Sequence, residues 1–251
     1  MAITFDQNSN HNNATNVLTI TASFTLGGSA DALVCLAYYN PSDAVTTATF
    51  TTHTWNGVSV PQISGMTNNA GIGGNACLYG FGITKTQMGG STFTGTQSLV
   101  LTWTGSTATI VVGVASFIGC DQTGGTTTFI NTTTPGSSST TQLTGVNVTT
   151  VSGNATVGGF TYASGVSTSN ASPAHDWLDI SGIQATGQHK LSTTATDTYS
   201  SDTQPAVDNL QGSFVCIKAA AAGDVLSAQI LTRSMVGWRR RRELLIPAWS
   251  F

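Results

Sequence analysis

Along most of the first 220 residues apolar and polar positions alternate with a period of two, broken by clusters of turn-forming residues. Successive side chains of a strand point to opposite faces, so this alternation predicts half-buried strands. Leu18, Ile20, Ala22 and Phe24 alternate with Thr19, Thr21 and Ser23 until Gly27 and Gly28 close the run. The stretches 31–39 and 108–118 are apolar on both faces, which predicts mid-sheet strands. In a strand over 98–103, Leu99, Leu101 and Trp103 share one face. The stretches 46–55 and 58–63 flank Asn56 and Gly57, the strongest short hairpin signal, because both central residues of a type I′ turn need positive φ. Further strands are predicted over 76–81, 146–151, 155–163, 189–194 and 212–219. The Thr/Ser/Gly-rich stretch 121–145 predicts a long surface loop with one short strand at 126–130. Roughly ten to twelve short strands and no helix before residue 220 predict an all-β fold, two antiparallel sheets stacked as a jelly-roll-like sandwich.

Composition narrows the class further. Only 8% of residues are charged, with a single Glu, Glu243, and three Lys, Lys85, Lys190 and Lys218. Helical bundles and coiled coils are built from those residues, so they are excluded. A hydrophobic content of 39% and a mean hydropathy of +0.09 supply the apolar surface for a core. Charge is unevenly distributed. Residues 1–223 carry nine Asp against three Lys, a net of −6, whereas residues 224–251 carry five Arg against Asp224 and Glu243, a net of +3. An acidic body offers no basic stripe for phosphates, so the main domain is not expected to bind nucleic acid. Residues 1–10 have neither a basic nor an apolar leader region, and the longest apolar run, 110–118, contains Gly113 and Ser116. These features predict synthesis in the cytosol and no membrane span.

Cys35, Cys77, Cys120 and Cys216 sit in strand-like runs without metal spacing, which predicts buried free thiols, no metal and no cofactor. Five N-x-S/T sequons, at Asn13, Asn131, Asn147, Asn154 and Asn170, are the chance yield of an Asn- and Thr-rich chain.

In their order, the strand sequences WNGV at 55–58, ACLYGF at 76–81, LVLTW at 99–103, the run from Val111 to Phe117 followed by GCDQT at 119–123, ATVGGF at 155–160 and SFVCIKA at 213–219 resemble jelly-roll-like β-sandwich proteins of tailed phages and environmental bacteria. The resemblance spans about residues 15–220 and leaves the segment from Asp224 outside it. It implies a virion surface role, as a head decoration or fibre part, and implies no catalysis.

Candidate chemistry is sparse. Asp176 and Asp179 bracket Trp177, but an offset of three along an extended chain puts the two carboxylates on opposite faces, away from a glycosidase-like pair. No serine lies in a nucleophile elbow, since Tyr162 stands where Ser164 would need a glycine, and the four His are scattered. Asp43 and Asp121 are read as turn caps in preference to calcium ligands. No catalytic residue is assigned. The alternative to a structural protein is a carbohydrate-binding module, in which exposed Trp rings stack on sugars. Trp55 shares the parity of His53 and Thr51, not that of Phe50, and Trp177 lies among polar residues, so both are candidate glycan platforms.

The segment 223–251 is read as a docking arm appended to a sandwich domain over 1–222. Trp238, Arg239, Arg240, Arg241 and Arg242 precede an uncharged strip holding Leu244, Leu245, Ile246, Trp249 and Phe251. Burying those five side chains yields about 8–15 kcal/mol, against about 8–16 kcal/mol to order eight residues. The near balance predicts that the strip holds only in a defined groove, with the arginines facing the acidic body of a neighbouring copy in a homo-oligomer or another virion protein.

Overall fold

The computed structural model describes residues 2–27, 30–41, 49–68, 77–90, 93–162, 176–179, 184–204 and 208–221. The described residues of the first half form nine strands: β1 (Thr4–Val17), β2 (Thr19–Gly27), β3 (Ala32–Pro41), β4 (Thr49–Trp55), β5 (Val58–Ser59), β6 (Gln62–Asn68), β7 (Cys77–Thr84), β8 (Thr94–Thr104) and β9 (Ala108–Ile118). They make an outer sheet of order β2-β8-β4-β5 and an inner sheet of order β1-β9-β3-β7-β6, antiparallel throughout. The second half begins with a single turn of helix, α1 (Gly125–Thr128), and continues as β10 (Phe129–Thr133), β11 (Gly136–Thr140), β12 (Val146–Thr149), β13 (Ala155–Tyr162), β14 (Trp177–Asp179), β15 (Gln184–Leu191), β16 (Thr196–Tyr199) and β17 (Asp208–Ile217). These build a second inner sheet, β10-β17-β13-β15-β14 with β11 also on β17, and a two-stranded ribbon of β12 and β16.

The all-β sandwich expected from the alternation is therefore present, with antiparallel sheets packed face to face. The sheets form successive layers separated by three cores, and the apolar pattern explains the stacking. Along β2 every second residue is buried, so Ile20, Ala22, Phe24 and Leu26 face the first core while the threonines face out. In β3 both parities are apolar. Leu33, Cys35, Ala37 and Tyr39 enter the first core, and Ala32, Val34, Leu36 and Tyr38 enter the second. Strand β9 divides the same way, with Ile110, Val112 and Val114 on one side and Val111, Ala115 and Phe117 on the other. A strand covered on both faces has no position for a polar side chain without a partner, which is why these runs read as unbroken apolar sequence. The second core closes against Val157, Ala185, Val215 and Ile217 of the second half, where the Tyr38 hydroxyl donates to the Thr186 carbonyl at 2.6 Å. Phe160, Tyr162, Leu210 and Phe214 then form the third core with Val146, Val148 and Tyr199 of the ribbon.

Local signals decide individual turns. Asn56 and Gly57 take φ of 48° and 80°, joining Trp55 to its partner Val58 as a type I′ turn requires. The Asn56 side chain also accepts from the Ser98 amide at 2.8 Å, which ties the hairpin to β8. The stretch 121–145, expected as a loop with one strand, carries α1, β10 and β11. Leu18, expected to share the buried face of β2, is 43% exposed at the corner between β1 and β2.

Candidate functional site

The two tryptophans expected as glycan platforms are both inside the molecule, which corrects that reading. Trp55 has no exposed surface; it stacks near Phe24 with ring centroids 5.8 Å apart and donates its indole N–H to Gln97 Oε1 at 2.9 Å. Parity failed as a guide because β4 has a register shift between Phe50 and Thr52, opposite the consecutive residues Trp103 and Thr102 of β8. One extra residue in a strand reverses the facing of all that follow, so Phe50, His53 and Trp55 all turn toward the core. Trp177 is 7% exposed and is paired with Gly187 across β14 and β15. Its ring fills the space where a Cβ on Gly187 or on Gly113 would stand, lying 2.3 Å from the first position and 2.0 Å from the second. Gly113 belongs to β9 and Gly187 to β15, so the indole is a wedge between the two inner sheets, edge-on to Tyr38 at 5.2 Å.

The polar clusters of the described residues are tied into the fold, as three of them show. Asp176 meets His189 Nδ1 at 2.7 Å, while the imidazole lies flat on Phe5 at 3.7 Å. The flanking Asp179 is buried and accepts from Asn13 Nδ2 at 2.9 Å, binding β14 to the edge strand β1. A larger network lies under the ribbon. Asp197 accepts hydroxyls from both Thr156 and Ser192 at 2.6 Å, Tyr199 donates to the Thr156 carbonyl at 3.0 Å, and the Cys216 thiol reaches Thr150 at 3.3 Å. These bonds tie β13, the end of β15 and the ribbon together through one buried carboxylate. The sequence signal for it is the alternation Thr196, Asp197, Thr198, Tyr199, in which the polar Asp197 shares the buried face with Tyr199.

The third cluster holds the last described stretch against the first half. Asp121 accepts from the Thr123 amide at 2.8 Å and from Lys218 Nζ at 3.0 Å, and the Lys218 amide donates to the Thr128 carbonyl at 2.8 Å. Burial pushes the Asp121 carboxyl up, but the Thr123 hydrogen bonds and the Lys218 ammonium outweigh it and hold the group below its ordinary value. This is the turn-cap role expected for Asp121. Beside it, between β6 and α1, opens a mainly apolar cleft of about 70 Å³. Ile63, Gly82 and Phe129 form its buried floor, with Pro61 half-buried beside them, and Ser64 and Thr126 stand exposed at its rim. That volume is far below the several hundred Å³ of a cofactor pocket and accommodates about one side chain.

All four cysteines are buried thiols, and none of them is in a disulfide. Desolvation pushes the Cys77 thiol up to about 11 and raises Cys35, Cys120 and Cys216 as well. Among the described residues no group of three His, Cys, Asp or Glu side chains is placed to hold a metal ion, and no helix is long and apolar enough to cross a membrane. Asp43 and the arm residues Trp238, Arg239, Arg240, Arg241, Arg242, Leu244, Leu245, Ile246, Trp249 and Phe251 lie outside the described residues. No protein family, curated protein or solved structure matches the chain.

Proposed function

We propose that this chain is a structural component of a tailed-phage virion, a capsid decoration or tail or fibre part, which works by assembly and catalyses nothing. The observation that carries the reading is the solvent face of the outer sheet. Thr19, Thr21, Ser23 and Thr25 of β2 stand opposite Thr102, Val100, Ser98 and Thr96 of β8, and Thr52 and Thr54 of β4 extend two of those rows. This is a broad surface of hydroxyl and methyl groups without a charge, and hydroxyls such as Thr19 and Thr102 bond one another at 3.1 Å. Such a face is suited to extended contact with a neighbouring protein, where no ion has to be stripped of water on docking. The resemblance of the strand sequences to phage sandwiches supplies the virion setting, reached after synthesis in the host cytoplasm. The glycan-binding alternative depended on Trp55 and Trp177 as stacking platforms, and their burial leaves it without them.

Light scattering on the purified full chain, with negative-stain imaging, tests the reading. Discrete particles with closed symmetry are the expected result. A monomer at all concentrations, or turnover of a polysaccharide by the purified protein, would overturn it.

A further inference from the structure

We propose that the cleft between β6 and α1 receives the apolar strip Leu244–Phe251 of a second copy of this chain, one aromatic ring of the strip seated on Phe129. The proposal rests on the assembly reading and names its contact. Three observations carry it. The cleft has a buried apolar floor of Ile63, Gly82 and Phe129 under an exposed polar rim, in the volume of about one ring. Its shape suits an inserted side chain better than a free small molecule.

The second observation is where the described chain ends. Lys218 donates its amide to Thr128, the residue between Thr126 and Phe129 of the cleft wall, and Ala220 donates to Gly119. The described chain ends at Ala221, and residues 222–243 separate that point from the strip. Extended, they reach about 70 Å. A body of this size is about 45 Å across. A link to the cleft of its own copy, close to Ala221, would need none of that reach, and it would bring four mutually repelling arginines back beside it. A link to the same cleft on a neighbour uses the length. The third observation is charge. Arg239–Arg242 immediately precede the strip, and the body they would cross is net −6 over residues 1–223. Every copy carries both strip and cleft, so reciprocal exchange closes a symmetric pair and serial exchange extends a lattice.

The test uses three full-length proteins. One is the natural chain, one fills the cleft from its rim by Ser64→Arg with Thr126→Trp, and one blocks the strip by Trp249→Asp with Phe251→Asp. Circular dichroism and urea midpoints equal to the natural chain establish that each variant folds. Light scattering should give the natural chain a mass at least twofold that of one chain, and each variant a onefold mass. An equimolar mixture of the two variants should regain a twofold complex, because one supplies the strip and the other the cleft. A cleft-filled variant that keeps the natural mass while the strip-blocked variant loses it would overturn this inference and leave the assembly reading standing. Equal masses for all three proteins at one chain would overturn both. A photo-crosslinker at position 249, in a mixture of isotopically light and heavy chains, should join light to heavy at the Ile63 or Phe129 segment. Links confined to chains of one isotope would overturn the exchange.

Discussion

The wedge made by Trp177 yields a prediction with a sign that simple packing arguments miss. A methyl group added at Gly113 would sit 2.0 to 2.3 Å from three atoms of the indole, where carbon atoms at rest stand about 3.5–4 Å apart. The ring cannot retreat, because on its other side it lies 2.3 Å from the corresponding position on Gly187. Gly113→Ala alone should therefore cost about 1–3 kcal/mol by forcing the inner sheets apart. Trp177→Ala alone removes a buried aromatic and should cost about 3–5 kcal/mol. In the double variant the methyl enters the space the ring has left, so the total should stay near 3–5 kcal/mol and fall about 1–3 kcal/mol short of the sum. Urea unfolding followed by far-ultraviolet circular dichroism measures all four corners of this cycle without relying on the removed fluorophore. Strictly additive costs, or a Gly113→Ala protein as stable as the natural chain, would refute the idea that the indole bridges the two layers.

Three further outcomes can be checked on the same preparations. Gly57→Ala should cost about 1–2 kcal/mol in urea, all of it conformational, because φ is 80° there and a Cβ would meet nothing within 4 Å. Asp121 is held below its ordinary value of 3.8, so its contribution is complete above that value and is lost as pH falls through its lower folded value. Asp121→Asn should be less stable near neutral pH and should show a shallower loss of stability on acidification than the natural chain, read from urea midpoints at successive pH. The buried, high-pKa thiols should be silent toward an aromatic disulfide reagent at pH 8 in the native protein, and all four should react in denaturant; prompt native labelling of any one would contradict its burial.

Strand identity was legible wherever the apolar pattern was dense. The expected boundaries of β9 coincide with those observed, and the turn at Asn56 and Gly57 falls where the dipeptide places it. The pattern was silent where strands earn their place by backbone pairing alone. Strand β1 runs through Gln7, Asn8, Ser9, Asn10, Asn12 and Asn13, a stretch with no apolar alternation, yet it pairs along β9 as the edge of its sheet. The order of layers was not legible either, since a run such as 32–39 announces that both faces are covered without naming what covers them. The parity of Trp55 was lost to one extra residue near Thr51, a bulge with no glycine to mark it. Of the site, Asp121 was read correctly as a cap. The cleft was invisible because its walls come from β6, β7 and α1, two of which the pattern did not reveal.

The division of the sheets by chain half has a consequence for synthesis. The outer sheet and the first inner sheet are complete once Ile118 has been made, but β17, the middle strand of the second inner sheet, ends at Ile217. At about 5–20 residues per second, translation takes on the order of 5–20 s to cover that gap. During it the nascent chain presents Val34, Leu36, Tyr38, Val111 and Phe117 to solvent as a bare greasy panel. A ribosome-bound chaperone, or a slow neighbour on the same messenger, would meet that panel before the molecule could cover it.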